Sequence, residues 1–406
     1  MGATLATVDN ILKEIYEGSG IQDQLQSETV TAKRIKSSSE GVTEEVGGKY
    51  VTFPLRIKRN QGIGARRENE ALPNAGNQGY VSARVGLSYQ YGKVQLTGQT
   101  FELADKNFQA FASALDQEIN GLKQDLAKDQ NRQVYGTSIG TIATCTTLGS
   151  SVNTFKTTNT QYIQDGMMVD VVDGTTLSNT DPTVVASNRM VTAISKNTQV
   201  TLSGAAFSSA VGDVLVRTGS VTREVHGLGD IVNDSGTLYN VDPSSVPLWK
   251  AKVDSNSGTA RALSELLMIN MVDSIREGGS KVSAIFTTLG VRRSYFALLT
   301  QQRRYTGVKE FEGGFTGLAF TTDQGEIPVV VDTDTPTKSM YFLSEKEIKL
   351  YQTGEWDWMN RDGSNWQRVI TSSGSYDAYE ATLYKYMDYG THKRNAHGKI
   401  VDIIES

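Results

Sequence analysis

The segment Asp105–Tyr135, DKNFQAFASALDQEINGLKQDLAKDQNRQVY, carries the longest clean helical period of the chain. Phe108, Phe111, Leu115, Ile119, Leu122 and Leu126 recur at steps of three and four, so they share one face of a helix about 45 Å long. Gln109, Asp116, Lys123, Asp125 and Lys128 make the other face polar. A rod with this division lies along a surface with its apolar stripe packed on a sheet.

Working outward, both flanks read as β-rich. Lys49–Asn60 alternates Val51, Phe53, Leu55 and Ile57 against Thr52, Arg56 and Lys58, and Tyr80–Gln99 alternates again through Val81, Ala83, Val85, Leu87, Tyr89 and Tyr91. Each pattern is a strand with one covered face. The glycine-rich stretch between them makes the pair an extended hairpin, which is marginal alone and needs a surface to lean on. Arg56, Lys58, Arg59, Arg66 and Arg67 give it a basic surface suited to an acidic partner. Before the hairpin, Val8, Ile11, Leu12 and Ile15 predict a short helix closed at Gly18, and Ser27–Gly48 is a polar arm.

Past the helix the composition changes. Residues 138–220 are dense in Thr, Ser, Gly and Val, with short β-type runs at even intervals, which predicts a small inserted barrel or sandwich. From Val221 the pattern is mixed. Ser257 or Thr259 caps a helix ending at Gly278; VSAIF is a buried strand; a helix follows near VRRSYFALLTQQRR. EIPVVVDTD, SMYFLS, EIKLYQT, a long strand through YDAYEATLYKYMDYG and GKIVDII complete an α+β body.

Composition narrows the function. The 406 residues suffice for two or three compact units. A net charge of −5 and a pI near 5.5 argue against a surface built to neutralise many phosphates. The single Cys145 excludes an intrachain disulfide, and no secretory signal or membrane-spanning run is visible. GTSIG at 136–140 matches a hydrolase nucleophile pattern at Ser138, but a helix precedes it where that elbow needs a strand. His226, His392 and His397 have no metal-ligand spacing. Asp332 and Asp334 read as a strand-ending turn more readily than as a carboxylate pair or cation site. Trp356, Trp358 and Trp366 suit a packed hairpin or interface better than a glycan-stacking surface. No nucleophile, base and orienting group come together, so the chain reads as a scaffold without catalytic residues, cofactor or metal.

The order of arm, long hairpin, long helix and α+β body resembles the major capsid protein of tailed bacteriophages, a fold shared with herpesvirus shell proteins and encapsulins. The phrases that carry the likeness are AIFTTLGVRRSYFALL, the glycine pair Gly313 and Gly314, GEIPVVVDTDTP, YFLSEKEIKLYQTGEWDWMNRDG and YDAYEATLYKY. All are packing patterns, and they cover nearly the whole chain outside 138–220. The resemblance implies an N-terminal arm (1–47), an extended loop (48–100), a peripheral domain with spine helix (101–137 and 339–390), an insertion domain (138–220) and an axial domain (221–338 and 391–406).

It further implies hexamers and pentamers that close an icosahedral shell around double-stranded DNA without reading its sequence, assembled in a host bacterial cytoplasm. Expected partners are other copies of the chain, a portal protein and in some cases a decoration protein, with no membrane. Some relatives carry a long cleavable scaffolding segment; about 48 residues precede the hairpin here, which implies a separate scaffolding protein. Some weld subunits through a lysine and an asparagine; residues 60–79 hold no lysine, leaving Lys58 and Lys93 on the arms, so a non-covalent shell is expected. The competing readings are an encapsulin-like compartment, a glycan-binding adhesin and a hydrolase at Ser138.

Overall fold

The computed structural model describes residues 29–38, 50–99, 108–179, 181–303, 318–323, 325–360, 363–371 and 374–406. The short helix expected before Gly18, the glycine pair at Gly313 and Gly314, and the side chains of Phe108, Phe111 and Leu115 lie outside the described residues.

The segment expected to be only a polar arm holds a helix, α1 (Val30–Ser38), whose Ile35 and Thr31 are fully buried. Its first N–H groups are capped from far away: Thr31 N donates to Asp332 Oδ2 at 3.0 Å and Ala32 N to Asn131 Oδ1 at 3.0 Å. Those partners satisfy donors that a helix start leaves open. Local composition cannot show them.

β1 (Val51–Lys58) and β2 (Gly79–Val85) form the hairpin, with Val51 opposite Val85, Phe53 opposite Ala83 and Leu55 opposite Val81. The tip closes where two glycines meet; a Cβ on Gly76 would stand 2.8 Å from Gly62 N, closer than side chains are found. The alternation of Tyr80–Gln99 does not run through one strand. It breaks at Gly86–Leu87, and β3 (Ser88–Thr97) leaves the hairpin for another sheet.

The long helix α2 (Phe108–Tyr135) has 28 residues. It lies hard against β3: a Cβ on Gly92 would meet Leu126 Cδ1 at 2.5 Å and Leu122 Cδ1 at 3.1 Å. Ile119, Leu122 and Leu126 are half-buried, whereas Asn131, Arg132, Gln133, Val134 and Tyr135 are buried outright. The rod thus lies on a surface only along part of its length, and its last turn enters the core.

Eight strands follow: β4 (Thr141–Thr144), β5 (Gly149–Val152), β6 (Thr154–Lys156), β7 (Met168–Val172), β8 (Val184–Ser195), β9 (Gln199–Leu202), β10 (Phe207–Ser209) and β11 (Val214–Arg217). Six run in the order β4-β11-β7-β8-β9-β6, and β5 pairs with β10. Thr146 N donates to Lys156 O at 3.0 Å, joining the chain beyond β4 to the opposite edge strand β6. The strands enclose their own core of Ile142, Phe155, Val169, Val171, Val200 and Leu215.

A short helix α3 (Leu228–Ile231), β12 (Lys252–Asp254), α4 (Glu265–Glu277), β13 (Ala284–Thr287), α5 (Leu289–Arg303), β14 (Ala319–Thr322), β15 (Gly325–Val331) and β16 (Met340–Leu343) come next. After these come β17 (Ile348–Gln352), β18 (Asp357–Trp358), β19 (Gln367–Thr371), β20 (Gly374–Thr391) and β21 (Gly398–Ile400). One sheet has the order β12-β21-β16-β13-β15-β14, parallel at β12/β21 and β13/β15 and antiparallel elsewhere.

Both faces of this sheet are covered, which is why its strands read as continuous apolar runs. Ile285, Met340 and Phe342 meet Met268, Val272 and Ile275 of α4 and Val291 of α5, while Ala284, Phe286, Tyr341 and Leu343 join Ile35, Val134, Leu238 and Trp249.

Two expectations change here. β16 lies in this sheet between β21 and β13, and not with β17–β20. The N-cap of α4 is Ser264, whose hydroxyl accepts from Leu267 N at 3.3 Å; residues 255–258 are instead tied to Asp402. The remaining sheet is built on β20, 18 residues long, with β17, β18 and β19 along one edge and β3 along the other.

Candidate assembly surface

The hairpin stands out as the least self-contained part of the chain. Val51, Phe53, Leu55 and Ile57 are only half-buried, while Thr52, Pro54, Arg56 and Lys58 face water. The Phe53 ring lies tilted against His392 with centroids 4.5 Å apart, which ties the base of the hairpin to the segment after β20, and Arg84 lies 4.9 Å over the Tyr50 ring within that base. At the tip, Ile63 and Leu72 are each 82% exposed.

The tip is nonetheless ordered by its own bonds. Arg66 donates to Ala71 O at 2.8 Å and Ala65 O at 2.9 Å, Arg67 N donates to Glu70 Oε2 at 3.0 Å, and Gly62 N donates to Asn60 Oδ1 at 2.7 Å. Arg56, Lys58, Arg59, Arg66 and Arg67 are all exposed, and among the described residues none of them forms a salt bridge. A preordered projection with apolar anchors and unmatched cations is suited to docking on another surface.

Behind it, buried charges fix the joints between the parts. Arg132 bridges Asp129 at 2.9 Å and Glu224 at 2.7 Å, and Arg217 reaches Asp129 at 3.1 Å, which joins α2 to the end of β11 and to the segment that follows it. Burial alone would raise the Asp129 carboxyl, but the two guanidiniums override it and hold it down at about 2. Burial wins at Glu224, whose pKa is raised despite Arg132. Lys128 pairs with Asp334 at 2.9 Å, and Asn131 bonds both Asp332 and Asp334, so the expected turn after β15 is also a buried polar hub.

Arg394, 1% exposed, donates to the carbonyls of Asp230, Ile231, Ser235, Gly236 and Trp249 and so pins the loop around α3. His226 sits 2.8 Å from Asp388; burial would lower its pKa, but that carboxylate pushes it up to about 9. His397 is fully buried, and burial drives it down to about 3.

The other sequence candidates fall into structural places. GTSIG links α2 to β4, the reverse of the strand-to-helix order of a nucleophile elbow, and Ser138 N donates to Asp230 Oδ2 at 2.7 Å. The three tryptophans are half-buried beside β18 and β19, with Lys385 Nζ 6.0 Å from the Trp356 ring. Among the described residues no His, Cys, Asp or Glu group has a metal-site arrangement, and no helix is long and apolar enough to cross a membrane.

Comparison with known proteins decides between the readings. Residues 205–403 match the SU10 major capsid protein family. The whole architecture superposes on the capsid asymmetric unit of cyanophage A-1(L), with a TM-score of 0.57 at 12% identity over 94% of this chain and 97% of that one.

Residues 205–403 thus share a phage major capsid protein family, and the chain has the fold of phage capsid proteins.

A second likeness, to the capsid of a native GTA particle, has a TM-score of 0.50 at 9% identity and covers 99% of both chains. No curated protein matches the chain. At such identities the structures speak for the fold, and the family match speaks for the role. The family matched over residues 205–403 is one of virion shell proteins. That role is structural, and the buried charges described above serve packing.

Proposed function

We propose that copies of the chain assemble as hexamers and pentamers into an icosahedral shell enclosing double-stranded DNA. The hairpin supports this reading most directly: its stripe from Val51 to Ile57 is half-covered, and its cations have no carboxylate partner among the described residues. A two-stranded projection of this kind gains its stability from a neighbour. In this reading it is the extended loop that lies over the next subunit, and α2 is the spine of a peripheral domain with β17–β20. The six-stranded sheet is the core of the axial domain, and residues 138–220 are displayed outward.

A net charge of −5 fits a container that holds DNA without binding it tightly. Scaffolding comes from a separate protein, a portal occupies one vertex, a decoration protein is a further candidate partner, and assembly takes place in the host bacterial cytoplasm. Negative-stain microscopy of the purified chain tests the proposal. Closed particles with nucleic acid absorbance after packaging are expected; soluble monomers under all conditions overturn it, and closed particles that enclose protein alone turn it toward a compartment shell. Denaturing gels of the particles are expected to show single chains, and ladders of linked subunits would remove the non-covalent reading.

A further inference from the structure

The strands β4–β11 bury their apolar residues only against one another. One cluster holds Ile142, Phe155, Val169, Val200 and Leu215, a smaller one holds Val172, Val214 and Val216 with Leu177 and Val221, and neither contains a residue from α2 or from the strands β12–β21. What joins this unit to the rest of the chain is polar. A polar interface inside one chain leaves relative motion of its two sides as the default.

The joint has two parts. The first is a pair of adjacent connections, one entering β4 and one leaving β11, tied to each other where Thr222 N donates to Ile139 O at 3.1 Å. Both pass through left-handed backbone, Gly140 at φ 82° and Thr222 at φ 56°. Glycine adopts that region freely, whereas a β-branched residue is strained there. The second part is a clasp. Gln161 Nε2 donates to Thr333 O at 2.6 Å and to Thr335 O at 2.9 Å, and the Tyr162 hydroxyl donates to Asp334 O at 2.7 Å. All three acceptors lie in the turn after β15, where the Asp334 carboxylate takes Lys128 and Asn131 of α2.

Among the described residues, three buried polar atoms at this joint lack a hydrogen-bond partner: Gln161 Oε1, Glu224 Oε2, and Arg217 Nε, which lies 3.1 Å from Asp129 Oδ1 without being aligned on it. Each such atom costs free energy in the arrangement seen. Beside the clasp a cleft of about 580 Å³ opens between α2 and the unit, lined by Lys128, Arg132, Gln161, Tyr162 and Arg217 among others. Backbone strain, orphaned polar atoms and free volume therefore coincide where the unit meets the body.

We infer that the β4–β11 unit is a hinged strap: it swings on its paired connections, and the clasp of Gln161 and Tyr162 holds it closed across the seam between α2 and the sheet of β15. A few loop residues that absorb a backbone change suffice for such a hinge. Asp334 belongs both to the clasp, through its carbonyl, and to the joint between α2 and the sheet, through its carboxylate. Opening the strap therefore loosens α2 at Lys128 and Asn131. The device lies within one chain and is independent of whether copies assemble.

Hydrogen exchange on the full chain tests the strap with Gln161→Ala plus Tyr162→Phe. Amides at 131–135 and 333–335 are expected to exchange at least tenfold faster than in the wild type, while those of β7 and β11 keep their rates. Unchanged exchange at 333–335 overturns the clasp. Faster exchange throughout β7 and β11 would mean that the two side chains are needed for the unit to fold, and overturns the hinge. Spin labels on Ser178→Cys in the unit and Glu277→Cys on α4 supply a second measurement, the native Cys145 being buried. One interspin distance with the clasp intact and a second, distinct population in the clasp variant are expected; the same single distance in both overturns the swinging motion.

Discussion

Thr31 gives Asp332 two hydrogen bonds, one from its backbone N–H at 3.0 Å and one from Oγ1 at 2.6 Å, although 301 positions separate them. The same carboxylate accepts from Asn131 on α2. One buried side chain therefore sets the start of α1, the end of α2 and the turn after β15.

Asp332→Ala removes the cap and leaves the Thr31 N–H a buried donor without an acceptor, while Asn131 keeps Asp334 and the Thr31 hydroxyl keeps Tyr135. The combined loss is about 3 kcal/mol, from about 1 for a cap and 1–3 for the orphaned donor. Thermal melting should fall accordingly, and hydrogen exchange should show residues 30–38 losing protection before the rest of the chain. Protection of α1 equal to wild type would contradict this account of how the helix is held.

Gly92 is the contact point between sheet and α2, and its tolerance is measurable. Gly92→Ala places a Cβ 2.5 Å from Leu126 Cδ1, so the leucine must move, at a cost of about 1–3 kcal/mol. Leu126→Ala opens the same space. The double variant should then be less destabilised than the sum of the two singles, and a double-mutant cycle in chemical denaturation reads the difference. Strict additivity would place Gly92 and Leu126 out of contact.

Parts of this arrangement were legible in the residues and parts were not, for identifiable reasons. The helical apolar period and the strands' alternation are local, and they specify α2, the hairpin and the all-β stretch β4–β11. The helix at Val30–Ser38 is invisible locally because its caps, Asn131 and Asp332, lie about 100 and 300 residues away. Val81 to Tyr91 alternates straight through Gly86 and Leu87, so the division between β2 and β3 depends on which partner each half finds. The basic residues of the hairpin are plain in the sequence, whereas the grouping of Tyr89 and Tyr91 with Tyr384 and Tyr386 exists only through the pairing of β3 with β20.

Two histidines set opposite limits on stability as pH changes. His226, held at about 9 in the folded chain against about 6.5 unfolded, stabilises fully below pH 6.5 and loses that contribution as pH rises to 9. The upper bound is about 3 kcal/mol, which partial exposure of the ring reduces to roughly 1–2. His397, held at about 3, must take up a proton on unfolding, so its contribution is present above pH 6.5 and lost as pH falls toward 3. Melting temperature should thus peak near pH 6.5. His226→Gln should flatten the alkaline limb alone, and an unchanged alkaline slope in that variant would show that the Asp388 pair does not control it.

The hairpin cations give the last prediction. Arg66→Glu with Arg67→Glu reverses charge at an exposed tip where neither side chain has an ion-pair partner among the described residues, so the isolated chain should melt as wild type does. Assembly should suffer instead. Losing even about 1.4 kcal/mol per contact weakens each association tenfold, and the loss is repeated at every subunit. Particle yield by sedimentation should therefore collapse at low salt. In the wild-type chain, raising ionic strength should weaken assembly as well, because charges at an exposed tip are screened over about 10 Å at 0.1 M salt. Normal particles from the reversed tip, together with salt-independent wild-type assembly, would show that the hairpin docks through Ile63, Leu72 and its apolar stripe alone.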